Sequence, residues 1–162
     1  MQKRLDKAAE SIINIDSKKA LLATLNEKLF KVDCLLDTYA KSVGLTYSAI
    51  LILWFLQSST EVYTQKDICE RLGLPKQLVY SVIKPFWEQG FVELREAKDR
   101  RNKNVIMTNK GKEYALSVLK PLEDAEITAW SKFSDDEFIA FVKTMQEYVD
   151  AFGEVLKGLK IE

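Results

Sequence analysis

With 162 residues, 47% of them hydrophobic and 30% charged, the chain has the length and composition of one soluble globular domain with a real core. It has no histidine, which excludes His-ligated zinc, Ser-His-Asp or Cys-His catalysis and a histidine pH switch; Cys34 and Cys69 form neither a metal motif nor a disulfide framework. No glycine-rich phosphate loop occurs, no run approaches ~18 apolar residues, and the start MQKRLDKAAE lacks the apolar stretch of a secretory signal. These observations predict a cytoplasmic protein that is not an enzyme and needs neither metal nor cofactor.

Residues 3–15 carry Leu5, Ala8, Ala9, Ile12 and Ile13 at helical spacing, and Asp16-Ser17 reads as a break and recap. A longer helix is predicted over 18–41, with Leu21, Leu22, Leu25, Leu29, Val32, Leu36 and Tyr39 on one side. Gly44 closes the connection and Thr46 opens a third helix. That helix is apolar nearly all round, at Tyr47, Ile50, Leu51, Leu53, Trp54 and Phe55, so it is expected to be buried on most sides.

Residues 64–108 follow in a helix, tight turn, helix and charged-hairpin order, which is that of a winged helix-turn-helix. Thr64 is placed as N-cap with Asp67 three residues on. Ile68 and Leu72 form the buried stripe, Gly73 breaks the helix, and Pro75 opens the next at its first position. In the second helix Val79, Val82, Ile83 and Phe86 face the core. Gln77, Tyr80, Ser81 and Lys84 lie opposite, offering amide, phenol, hydroxyl and ammonium groups that suit base edges and phosphates. Pro85 removes one backbone bond and is expected to bend the second half. Gly90 ends the helix. Strands are predicted at 91–95 and 105–107, around a loop rich in positive charge.

Here the residues resemble a family. Gly90-Phe91-Val92, Asp99-Arg100-Arg101, then Val105-Ile106-Met107-Thr108 and Gly111 look like the MarR-type regulators. Their pattern is G-[LFY]-[IV] after the recognition helix, D-x-R in the wing, and an apolar strand ending L-T-x-x-G. The spacing matches without gaps; Met107 replaces the usual Leu, a volume-conserving swap. The resemblance implies a homodimer on a pseudo-palindromic, double-stranded DNA operator, acting as a repressor and released by a small aromatic effector. It implies that Arg101 enters the minor groove, oriented by Asp99. Effectors of such regulators bind between the dimer helices and the winged part, where Tyr39, Tyr47, Trp54 and Phe55 are the candidates here; ordinary core packing is the competing account of those aromatics.

Beyond the wing, Thr108 is an N-cap for a helix over 109–133 in which Pro121 sits mid-pattern. Ser134-Asp135-Asp136-Glu137 is a capping box opening the last helix, whose apolar face from Phe138 to Leu156 is wider than a lone terminal helix needs. Net charge is zero, yet unevenly spread. Residues 64–112 carry eleven basic and six acidic side chains, and residues 113–162 carry five and eleven. Phosphate binding depends on that local field, since screening cuts interactions beyond ~8–10 Å.

The sequence therefore predicts a mainly α single domain over 1–162, with a small β-hairpin wing. Residues 45–108 form the winged helix-turn-helix, and 1–44 with 109–162 supply long dimerisation helices. The predicted DNA-binding residues are Lys76, Gln77, Tyr80, Ser81, Lys84, Asp99, Arg100, Arg101 and Lys103. Two alternatives are weighed. One is a winged domain that contacts only protein, against which the cations of this face argue. The other is a redox-sensing regulator using Cys34 or Cys69, against which the apolar neighbours Val32, Leu35, Leu36 and Ile68 argue, since they suit buried inert thiols.

Overall fold

The computed structural model describes residues 15–97 and 102–159. The predicted helix over 3–15, apart from Ile15, lies outside the described residues, as do Lys98, Asp99, Arg100 and Arg101. Among the described residues there are six helices and a three-stranded antiparallel sheet. Contacts divide the chain into two units, the first ending at Ala115 and the second beginning at Leu116.

Helix α1 (Ile15–Ser42) already runs through Asp16 and Ser17, so the break expected there is absent. Its end is a left-handed glycine stop. Gly44 has φ +74, Gly44 N–H donates to Lys41 O at 3.1 Å, and Leu45 N–H reaches Ala40 O at 2.8 Å. Helix α2 (Tyr47–Ser58) is capped by Thr46, whose hydroxyl accepts from Ala49 N–H at 3.2 Å. It supplies Ile50, Ile52, Leu53 and Leu56 to the core, while Trp54 remains 45% exposed. It is the apolar post on which the next elements rest.

The helix-turn-helix follows. Strand β1 (Tyr63–Thr64) leads into α3 (Gln65–Leu72). Thr64 and Asp67 form a complete capping box: Asp67 N–H donates to the Thr64 hydroxyl at 3.2 Å, and Thr64 N–H donates to the Asp67 carboxylate at 2.8 Å. The Thr64 backbone and hydroxyl donors hold the Asp67 carboxyl below its ordinary pKa. Gly73 ends α3 with φ +63. Helix α4 (Lys76–Glu88) starts one residue later than expected, with Pro75 as the cap and not the first helical residue. Val79, Val82, Ile83 and Phe86 are buried, the stripe that the 3.6-residue period requires. The helix continues through Pro85 to Glu88.

Strands β2 (Val92–Glu96) and β3 (Lys103–Met107) pair from Val92 opposite Met107 to Glu96 opposite Lys103. The sheet order is β1-β3-β2, with Tyr63 opposite Val105. The short β1 was not foreseen. Two residues give no alternation to detect, and its pairing to β3 spans some forty positions of chain. Helix α5 (Asn109–Trp130) contains Pro121 and stops before Ser131, short of the predicted Phe133.

In the second unit, α6 (Asp135–Gly158) opens on the Ser134–Glu137 capping box, where Ser134 donors lower the Glu137 pKa. Trp130 stacks on Phe138 at 4.1 Å and lies 5.1 Å from Phe141. Ile139, Val142, Val149, Phe152 and Val155 are exposed along α6. On α1, Leu21, Leu22, Phe30, Val32 and Leu35 are exposed as well.

Candidate nucleic-acid interface

Among the described residues no polar or charged side chain is buried, so the polar chemistry those residues offer is on the surface. Among those residues, too, no single helix is long and apolar enough to cross a membrane.

The outward face of α4 carries the groups in question. Burial of Val79, Val82, Ile83 and Phe86 forces Lys76, Gln77, Tyr80, Ser81 and Lys84 outward, and all five are exposed. They do not act as one patch. Lys76 and Tyr80 border a cleft of about 580 Å³ together with Gln65 and Lys66 of α3 and Asn102 and Lys103 of the wing. Three ammonium groups from three elements thus line one hollow, with a phenol, two carboxamides and the Glu70 carboxylate, which lies 3.6 Å from the Lys66 ammonium. Donors outnumber acceptors in that set, a chemistry that suits phosphate groups. Gln77 and Lys84 lie further round the same helix. Lys84 is 3.8 Å from Glu88, and this exposed pair is weak enough to open for another anion.

Ser81 faces a different hollow, lined also by Leu78, Pro85, Gln89 and Tyr114. Its hydroxyl donates to Leu78 O at 2.8 Å, so toward any outside partner it is an acceptor. Sequence reasoning missed Lys66, Gln65, Asn102 and Trp87. Trp87 is 52% exposed, seven residues from Tyr80 on the same helix, and that spacing was the available signal. Lys66 could not have been found by periodicity, because it joins Lys76 and Lys103 only through the tertiary fold.

The positive charge of the 64–112 segment is partly committed to the protein itself. Arg95 donates to the Glu93 carboxylate through Nε and Nη2, at 3.1 and 2.7 Å. Lys110 Nζ donates to Gln89 O at 2.8 Å. Asp99, Arg100 and Arg101 lie outside the described residues.

The T-x-x-G motif has a structural explanation. Thr108 N–H donates to Phe91 O at 3.0 Å, its hydroxyl donates to Gly90 O at 2.7 Å, and that hydroxyl accepts from Gly111 N–H at 3.0 Å. Gly111 packs so closely that a Cβ there would lie 1.9 Å from Phe91 O. The motif locks the start of α5 to the exit of α4.

Residues 43–102 match the family model described as MarR family. Over those residues the winged helix-turn-helix of this chain is similar to the MarR family. Solved MarR structures share the fold across most of the chain. A MarR family regulator from Neisseria meningitidis superposes with a TM-score of 0.72 at 24% identity, over 86% of this chain and 99% of that one. A MepR–DNA complex from S. aureus gives 0.66 at 16% identity, over 80% and 96%. CouR from Rhodococcus jostii, bound to p-coumaroyl-CoA, gives 0.62 at 16% identity, over 78% and 90%. No curated protein matches the sequence. Within that shared fold α4 takes the position of the second helix of the helix-turn-helix, and the β2–β3 hairpin that of the wing.

The four aromatics considered for an effector pocket have different neighbours. Tyr47 donates to the Asp33 carboxylate at 3.1 Å, Phe55 packs on Tyr63 at 4.9 Å, Trp54 is exposed, and Tyr39 is half-buried. Partial burial, then the Asp33 partner, raises the Tyr47 pKa. Both cysteines are free. Cys69 is half-buried beside the cleft, and Cys34 is exposed together with Val32 and Leu35, contrary to the buried thiol expected from its neighbours.

Proposed function

We propose that this chain is a cytoplasmic, homodimeric transcriptional repressor that binds a pseudo-palindromic DNA operator through α4 and the wing. The observation that carries this reading is the convergence of Lys66, Lys76 and Lys103 on one cleft beside the exposed face of the recognition helix. Lysines there neutralise phosphates, and Gln77 and Lys84 read base edges in the major groove. Ser81, with its hydrogen engaged, accepts from a base amino group, and Tyr80 adds a phenol at the edge nearest the wing. Arg101, oriented by Asp99, enters the minor groove, with Arg100 on the adjacent backbone. That the MepR structure is a DNA complex supports the reading by analogy of fold.

Dimerisation through α1 and α6 accounts for their rows of exposed leucine, valine and phenylalanine, which water would not leave uncovered on a monomer of this size. Release by a small aromatic effector completes the proposal, with Tyr39, Tyr47, Trp54 and Phe55 at its site. CouR holds an aromatic thioester ligand. Such a ligand lowers DNA affinity only by its preference for the dimer whose recognition helices are wrongly spaced.

Selection of bound sequences from random duplex DNA tests the reading. A two-fold-symmetric consensus with half-sites about one helical turn apart, ~34 Å, is expected. Absence of any enrichment contradicts it and favours a winged domain that contacts only protein.

A further inference from the structure

We propose that Lys110 is a positioning residue for the recognition helix, holding its C-terminal end through a main-chain carbonyl without touching DNA; this rests on the reading that α4 lies in the major groove. The end of α4 needs outside support. Pro85 has no N–H, so the helix lacks one internal bond just before its last turn. The turn closes with Gly90 N–H on Trp87 O at 2.9 Å and Phe91 N–H on Phe86 O at 2.8 Å. The next three carbonyls, of Gln89, Gly90 and Phe91, point beyond the helix, and each is met from the start of α5. Lys110 Nζ donates to Gln89 O at 2.8 Å, the Thr108 hydroxyl to Gly90 O at 2.7 Å, and Thr108 N–H to Phe91 O at 3.0 Å.

Lys110 is the only charged member of this grip, placed where the negative end of the helix dipole favours a cation. Its ammonium also lies 5.2 Å from the centre of the Phe91 ring, which stacks on Tyr114 at 4.2 Å with planes 5° apart. Carbonyl and ring together define the direction of the side chain. A charge counted from sequence within the basic 64–112 segment is thereby turned toward the protein.

Lys110→Met keeps the aliphatic stem over Phe91 and removes the ammonium; Lys110→Arg keeps both features. In the DNA-free protein, hydrogen exchange of the 89–91 amides should quicken several-fold in Lys110→Met, while that of Val79 and Val82 stays unchanged. Affinity for the selected operator should fall about three- to tenfold. The slope of log K against log salt should stay at the parent value, whereas Lys76→Ala lowers it by about 1. Lys110→Arg should restore exchange and affinity. Unchanged exchange at 89–91 in Lys110→Met overturns the proposal. So does a slope reduced by about 1, which would make Lys110 a phosphate contact. If the parent protein selects no DNA, the repressor reading fails, and the exchange measurement still decides Lys110.

Discussion

Gly111→Ala sets two effects of opposite sign against each other. Gly111 lies in the first turn of α5, where alanine is favoured over glycine by at most about 1 kcal/mol, the value for a helix interior. Propensity alone therefore predicts a more stable protein. Packing predicts the reverse. The added Cβ would sit 1.9 Å from Phe91 O, 2.8 Å from Phe91 C and 3.1 Å from its Cα. A carbon meets a carbonyl oxygen comfortably at ~3.3 Å, so the two backbones must part by about 1.4 Å. Neither can rotate away, because Phe91 O already accepts from Thr108 N–H at 3.0 Å. Overpacking of this kind costs about 1–3 kcal/mol, and loosening the Thr108 bonds adds about 1 kcal/mol. Set against the gain in propensity, the net loss is about 1–3 kcal/mol. Urea unfolding at fixed protein concentration measures it, with the midpoint expected to fall by about 0.5 M or more. A variant as stable as the parent, or more so, would refute the account of T-x-x-G as a backbone lock.

Thr108→Val keeps the shape but removes both the cap on α5 and the bond to Gly90 O; a loss of about 1–2 kcal/mol in the same assay is expected. Asp67 has a depressed pKa in the folded state, so its stabilising contribution is complete above the ordinary carboxylate pKa near ~4 and is lost as pH falls through the lower folded value. Thermal scans from neutral to acid pH should accordingly show a shallower loss of stability for Asp67→Asn than for the parent. Phe152→Asp puts a charge in the exposed apolar row of α6; sedimentation should then report monomer where the parent sediments as a dimer, and an unchanged dimer would move the interface elsewhere.

What the sequence could reveal follows the range of the interactions. Thr64 with Asp67, Ser134 with Glu137, Gly44, Gly73 and the Val79–Phe86 stripe act within one or two turns, and they were readable because their partners lie close in the chain. Pro75 was misplaced by one residue because cap and first-turn positions both suit proline. Strand β1 and the Lys66–Lys76–Lys103 cleft depend on pairing across the fold, which no local pattern encodes. Lys110 shows the opposite failure: its charge was visible, but its partner, the Gln89 carbonyl 21 residues away, was not. The exposure of Cys34 has the same origin, since apolar neighbours imply burial only where another surface covers them.

The central claim is that the outward face of α4 reads bases, and Gln77 tests it most directly. It is exposed, its carboxamide can both donate and accept, and a bidentate contact to adenine is worth about 1–3 kcal/mol of discrimination. Sequence selection from random duplexes should be run in parallel on the parent and on Gln77→Ala. The account predicts that preference collapses at one position in each half-site, symmetrically, while the spacing and the other positions persist. An identical consensus from both proteins would mean that this face does not read DNA sequence.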